Sequence, residues 1–164
     1  MNASVSPVMR ELLLLTGILA AVPVAGQDSV VLGRGVGNAF AALIECTDRS
    51  LCMDSLYVWE LEAKHAVSGP PVSGRVKAIF VQHTQATLKF VRSVELFVLR
   101  RIDDPAMRKE YGADYSGIAL SPRYSGSRYC LPVSPQSIGL KLAESDVSVD
   151  PDSGYYCFAK NLVR

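Results

Sequence analysis

From Leu56 to Lys64 the chain alternates: Tyr57, Trp59, Leu61 and Ala63 fall on one parity, Glu60, Glu62 and Lys64 on the other. Period two is the mark of a strand with one buried face. A turn-forming run, Ser68-Gly69-Pro70-Pro71-Val72-Ser73-Gly74, closes it. Arg75 to His83 then reads as the return strand, with Val76, Ala78 and Phe80 alternating against Lys77, Ile79 and Val81. Both parities are partly apolar, which places this strand inside a sheet. A chain carrying such a hairpin is committed to a mainly β fold.

The strand pattern continues. Ala86 to Val91 and Val94 to Arg101 are read as two further strands, and Val94-Glu95-Leu96-Phe97-Val98-Leu99 is apolar enough for burial on both faces. A rival reading exists, because a short apolar run fits strand or helix equally. Val76, Ile79, Phe80 and His83 also share a helical face, and Ala86 and Phe90 stand at helical spacing. The alternative is an α+β domain with a long helix over residues 76–101. The best helix signal lies just beyond, at Asp103 to Gly112. Asp104 can cap the free N–H groups, Pro105 suits the first helical position, and Gly112 can stop the helix.

The last third is rich in turns. Short strands are expected at Gly117 to Pro122, Arg128 to Leu131, Ser137 to Ala143, Val147 to Val149 and Tyr155 to Lys160. Five to seven strands with one or two short helices suit a small, partly open antiparallel barrel, OB-like, or a compact sandwich.

Ahead of this domain stands a targeting signal. Leu12 to Leu15 and Ile18 to Val22 form an apolar run, followed by Pro23-Val24-Ala25-Gly26. A short apolar run closed by small residues reads as a secretory signal peptide over residues 1–26, cut after Gly26. The run is broken by Thr16 and Gly17 and is shorter than a bilayer span requires. The expectation is a single domain over residues 27–164, secreted or periplasmic, with no stable membrane insertion after cleavage. Its first residues carry Gly33, Gly35 and Gly37, without the Gly-Lys-Ser/Thr ending of a phosphate loop. They read as a flexible linker or edge strand, and Ala39 to Glu45 as one or two helical turns.

Four cysteines lie in the mature part, at 46, 52, 130 and 157. An even count in an exported chain implies two disulfides. Cys46–Cys52 and Cys130–Cys157 are the preferred pairs, with a crossed pairing as the alternative. The spacings suit neither a four-thiolate zinc site nor a Cys-x-x-Cys redox pair. The net charge of +1 supplies no field to gather nucleic acid.

No catalytic constellation is visible. His65 and His83 are the only histidines, and the hairpin would set His65 opposite a residue near position 77 rather than His83. No metal or other cofactor is expected. Asp146, Asp150 and Asp152 frame a turn but lack the Gly and Glu positions of a calcium loop. Arg100-Arg101 and the pair Lys89 and Arg92 read as solvated strand ends. The better lead is aromatic. Arg123, Tyr124, Arg128, Tyr129 and Tyr156 combine the two residue types favoured as anchors of protein interfaces. Within the final strand, Tyr155 is expected on the buried side with the Cys157 bridge, and Tyr156 on the exposed side.

The function expected is that of an exported, disulfide-containing interaction domain. It would bind another envelope or extracellular protein, as an inhibitor or an accessory of assembly, without being an enzyme. A small extracellular enzyme whose site forms only in the fold is one alternative, and a self-assembling structural subunit the other.

Overall fold

The computed structural model describes residues 27–43, 55–82, 87–122 and 126–163. The signal segment, Cys46, Cys52, His83, Arg123 and Tyr124 lie outside these residues, and so does the expected Cys46–Cys52 bridge. The described elements run β1 (Ser29–Leu43), β2 (Ser55–Ser68), β3 (Gly74–Gln82), α1 (Leu88–Ser93), β4 (Val94–Arg101), α2 (Pro105–Tyr111) and β5 (Tyr115–Pro122). They are followed by β6 (Arg128–Leu131), β7 (Val147–Val149) and β8 (Tyr156–Ala159).

The first five strands close on themselves in the order β1-β2-β3-β5-β4. β2 and β3 pair from Ser55↔Gln82 to Ala63↔Gly74, the hairpin its alternation implies. β1 closes the ring by pairing with β4 from Ser29↔Leu99 to Leu32↔Leu96. The remaining seam is thin: β3 meets β5 in parallel only at Ala78↔Tyr115 and Ile79↔Ser116. This is the mainly β, partly open, small barrel-like architecture that the patterning implied. The long helix over residues 76–101 is not present; only Leu88–Ser93 of that span is helical.

The ring is filled by one parity of each strand. Tyr57, Trp59, Leu61 and Ala63 from β2 meet Ala78 and Phe80 from β3 and Phe97 and Leu99 from β4. The rings of Trp59 and Phe80 are 4.9 Å apart, and Phe80 lies 6.5 Å from Phe97. Val91 of α1 and Val72 of the β2–β3 turn complete this core. Two glycines make the fit possible. A Cβ on Gly35 would lie 2.4 Å from the Val91 carbonyl oxygen, so its absence lets α1 sit against β1. A Cβ at Gly117 would overlap the Phe80 ring.

Several elements differ from the sequence expectation, each for a local reason. Residues expected as the strand Ala86 to Val91 form α1 instead, because the Thr87 hydroxyl accepts from the Phe90 N–H at 3.2 Å and nucleates a turn. The glycine-rich start is neither linker nor edge: β1 is hydrogen-bonded to β2 along its length and to β4 at its start. Register shifts between Leu32/Gly33 and Gly35/Gly37 let it bend around the barrel. Ala39–Leu43, expected to be helical, continues this strand. The span 137–143 is not a strand. Gln136–Ile138 is a 3-10 turn, and the alternation of Ile138 and Leu140 reflects burial against the barrel without a strand partner. α2 matches its signals: the Asp104 carboxylate accepts from Ala106 N–H at 2.8 Å, and Gly112 ends the helix at φ 58°.

The C-terminal residues build a second, three-stranded sheet in the order β6-β8-β7. It packs on the outside of the barrel. Val30, Leu32, Leu96, Val98 and Ala119 supply the barrel's share, Tyr129, Leu131 and Phe158 the sheet's, and Ile138 and Leu140 come from the segment between β6 and β7. The expected Cys130–Cys157 disulfide is present, joining directly opposed residues of β6 and β8. Its position corrects the face assigned to the last strand. Tyr129 and Phe158 take the core side, so the bridge between them in register falls on the other face. Tyr155 precedes β8 and is 39% exposed, whereas Tyr156 is half-buried on the parity of Phe158. The expectation of a buried Tyr155 is therefore reversed.

Candidate functional site

Of the tyrosines and arginines singled out in the sequence, Arg128, Tyr129 and Tyr156 are described, while Arg123 and Tyr124 lie outside the described residues. Tyr129 is 4% exposed, its ring edge-on to Phe158 at 6.1 Å and under the Lys160 ammonium at 5.0 Å. Arg128 reaches back across its own sheet, donating to the Cys157 carbonyl at 3.1 Å and to the Ser148 hydroxyl. Tyr156 is half-buried beside them. These side chains hold the C-terminal sheet together.

The histidine geometry also changes. His65 is exposed on β2 opposite Leu32 of β1, and Lys77 stands opposite Glu60. The β2–β3 pairing is thus offset from the one the sequence suggested, and His65 lies past the end of β3. No group of three or more potential metal ligands occurs among the described residues.

The outer face of the β2–β3 hairpin divides into a charged half and an apolar half. Near the β2–β3 turn, Arg34 pairs with Glu62 and Lys77 with Glu60, with Lys64 and Arg75 exposed beside them. Toward the other end the outward parity becomes aliphatic. Leu56 pairs with Val81 and Val58 with Ile79. Ile79 is covered by Ile102 and Ala113, with Leu56, Val58 and Tyr111 packed beside them. Val81, on this outward parity, is left 58% exposed. Phe40 is also exposed, but it is paired with Tyr57 and edge-on to its ring at 5.8 Å, which puts it on the inward parity. The Tyr111 phenol is held above its ordinary pKa by desolvation first and by the neighbouring Glu110 carboxylate second.

Two concavities flank the barrel. The larger, about 850 Å³, lies where β1 leaves β4, with Gly33 and Gly35 in its lining beside Arg34, Glu62, Arg92 and Glu95. Arg34 is bound to Glu62, and Glu95 accepts from Lys160, which lies outside the lining, at 3.0 Å; Lys64 and Arg92 are the other cations there. The smaller, about 510 Å³, lies between the β2–β3 turn and α2 and includes Pro70, Pro71, Arg101, Asp103, Arg108 and Tyr115 in its lining. Strand parity explains the two adjacent arginines. Arg100 turns toward Asp28, donating at 2.8 Å, and this carboxylate raises its pKa through the hydrogen bond and the charge. Arg101 turns the other way, beside its cross-strand neighbour Tyr115. Sequence reasoning treated Arg100-Arg101 as a solvated pair and Pro70-Pro71 as turn material. The signal available was parity, which sends the two arginines to different surroundings. Compared with protein families, with curated proteins and with solved structures, the chain matches none.

Proposed function

We propose that this chain is an exported, disulfide-containing interaction domain that binds another envelope or extracellular protein through the apolar half of the β2–β3 outer face. The observation that carries the reading is the exposure of Val81 beside the half-buried Leu56 and Val58 on the same outward parity. Apolar side chains left open on a sheet face are the part of a small domain that gains most when a partner covers them. The Cys130–Cys157 disulfide agrees with an oxidising compartment, and among the described residues no helix is long and apolar enough to cross a membrane. Small OB-like barrels also bind oligonucleotides on the β2–β3 face. That use needs unpaired cations and stacked aromatics. Here Arg34 and Lys77 are matched by Glu62 and Glu60, Lys64 and Arg75 are the other cations of the charged half, and the far half offers aliphatic Leu56, Val58 and Val81 in place of stacking rings, which favours a protein partner.

The test is chemical cross-linking and capture from the exported fraction with the wild-type chain and with Val81→Asp. Val81 is exposed, so the variant should keep its circular dichroism and melting point. The reading requires a defined protein captured by the wild type and lost with Val81→Asp. Identical capture by both chains would remove this face from the interaction. Cross-links only between copies of the chain would support the self-assembly alternative instead.

A further inference from the structure

We propose that the concavity between the β2–β3 turn and α2 is a binding site for a carboxylate carried on a small apolar body, held by Arg101 and Arg108. It is separate from the apolar face discussed above and does not depend on it.

The first observation is an orphaned donor. The Nε of Arg108 is buried and has no hydrogen-bond partner. A guanidinium N–H removed from water without an acceptor is costly, and buried donors in native proteins nearly always find one. The Nε is closed to solvent, but the Arg108 side chain lines the concavity, so a turn of the guanidinium toward an anionic oxygen there would give it that acceptor.

The second observation is a second guanidinium in the same lining. Pairing of β4 with β5 sets Arg101 opposite Tyr115, and both line the cavity with Arg108. Arg101 makes no side-chain ion pair with any described residue. Its neighbour Arg100 is occupied by Asp28, so the free charge is confined to this side of β4. Asp103 also lines the cavity and is exposed; one carboxylate against two guanidiniums leaves a net positive charge.

The walls define the rest of the ligand. Pro70, Pro71, Val72 and Ile102 make much of the lining apolar, and about 510 Å³ is more than a bare ion occupies. A planar carboxylate matches the fork of a guanidinium and balances a single net charge. A hydrated phosphate would carry more charge into a lining rich in proline and aliphatic carbon.

The experiment is a titration of the purified protein followed by the arginine Nε–H resonances in two-dimensional NMR. The probes are benzoate, benzyl alcohol and inorganic phosphate. Benzoate should shift the Arg108 Nε–H saturably, while benzyl alcohol and phosphate should not. Arg108→Gln and Arg101→Gln should each weaken benzoate binding at least about tenfold, the scale of one lost charge-assisted contact. Arg75→Gln, an exposed arginine of β3 outside the cavity, should bind as the wild type does. No saturable shift with benzoate, equal binding of phosphate, or unchanged binding by Arg101→Gln would each overturn the proposal. Should Arg108→Gln fail to fold, the wild-type titration and Arg101→Gln decide it.

Discussion

The barrel and the C-terminal sheet solve the same problem differently. β1 and β2 are 15 and 14 residues long, and the ring closes on itself through backbone hydrogen bonds. Its interior holds Phe80 between the rings of Trp59 and Phe97. The C-terminal strands have three or four residues each, and a disulfide ties two of them. Strands this short carry too few ladder bonds to stand alone. They persist because a covalent tie limits the unfolded chain and because the barrel offers Leu96 and Val98 as a seat. The dependence runs one way: the barrel has its own core, while the sheet borrows half of its own.

The largest effect should come from the barrel interior. Trp59→Ala should cost about 3–5 kcal/mol, and both regions should melt together, because the sheet loses its seat when the ring opens. A variant whose C-terminal sheet survives barrel melting would break the asymmetry. Denaturant melts monitored separately by Tyr129 and Leu61 resonances make the comparison.

Replacing both bridge cysteines, Cys130→Ser with Cys157→Ser, should have the next largest effect. The bridge closes a sequence separation of 27 residues, and its loss should cost about 2–4 kcal/mol. The cost should fall on one region. Amide exchange at Tyr129, Leu131 and Phe158 should accelerate far more than at Trp59 or Phe80. Equal acceleration in both would mean that the two regions unfold as one unit.

The smallest effect is confined to one turn of the C-terminal sheet. The Asp150 carboxylate accepts from the Ser153 and Asp152 N–H groups, and these bonds, the Ser153 one first, hold its pKa below the usual carboxylate value. A depressed carboxylate stabilises the fold at pH above its unfolded value, and the contribution fades as pH falls through the folded value. Exchange at Asp152 and Ser153 should therefore quicken under acid conditions below the ordinary carboxylate range. Asp150→Asn should flatten that dependence, with barrel amides unaffected.

How much of this was readable beforehand varies with how local the cause is. The inward residues of β2 follow from parity alone, and α2 follows from Asp104, Pro105 and Gly112, since caps and strand faces are written within a few residues. α1 escaped because Phe90 and Val91 suit either helix or strand, and the deciding bond is the single Thr87 cap. Gly33 and Gly35 looked like a linker because the strand bend and the helix seated on it are tertiary facts. The face of Tyr155 was misjudged because the bridge was assumed to lie inward, whereas Tyr129 and Phe158 take that side. The Arg101 and Arg108 cavity was invisible for a related reason: local pattern says which way Arg101 points, but not that β5 and the Pro70-Pro71 turn will be there.

The two-sided burial of β4 has a consequence for synthesis. Leu96 and Val98 face outward from the ring, and their cover comes from residues 129 to 158. A chain made from its N-terminus can complete the ring by Pro122, yet it must then wait with Val30, Leu32, Leu96, Val98 and Ala119 open to water until the tail arrives. Domains generally fold as they are made, and greasy surface bared in that interval is where aggregation begins. A chain truncated after Pro122 would make the interval permanent. It would emerge as a sticky, chaperone-dependent ring, so the tail acts as the barrel's built-in cover against its own kind.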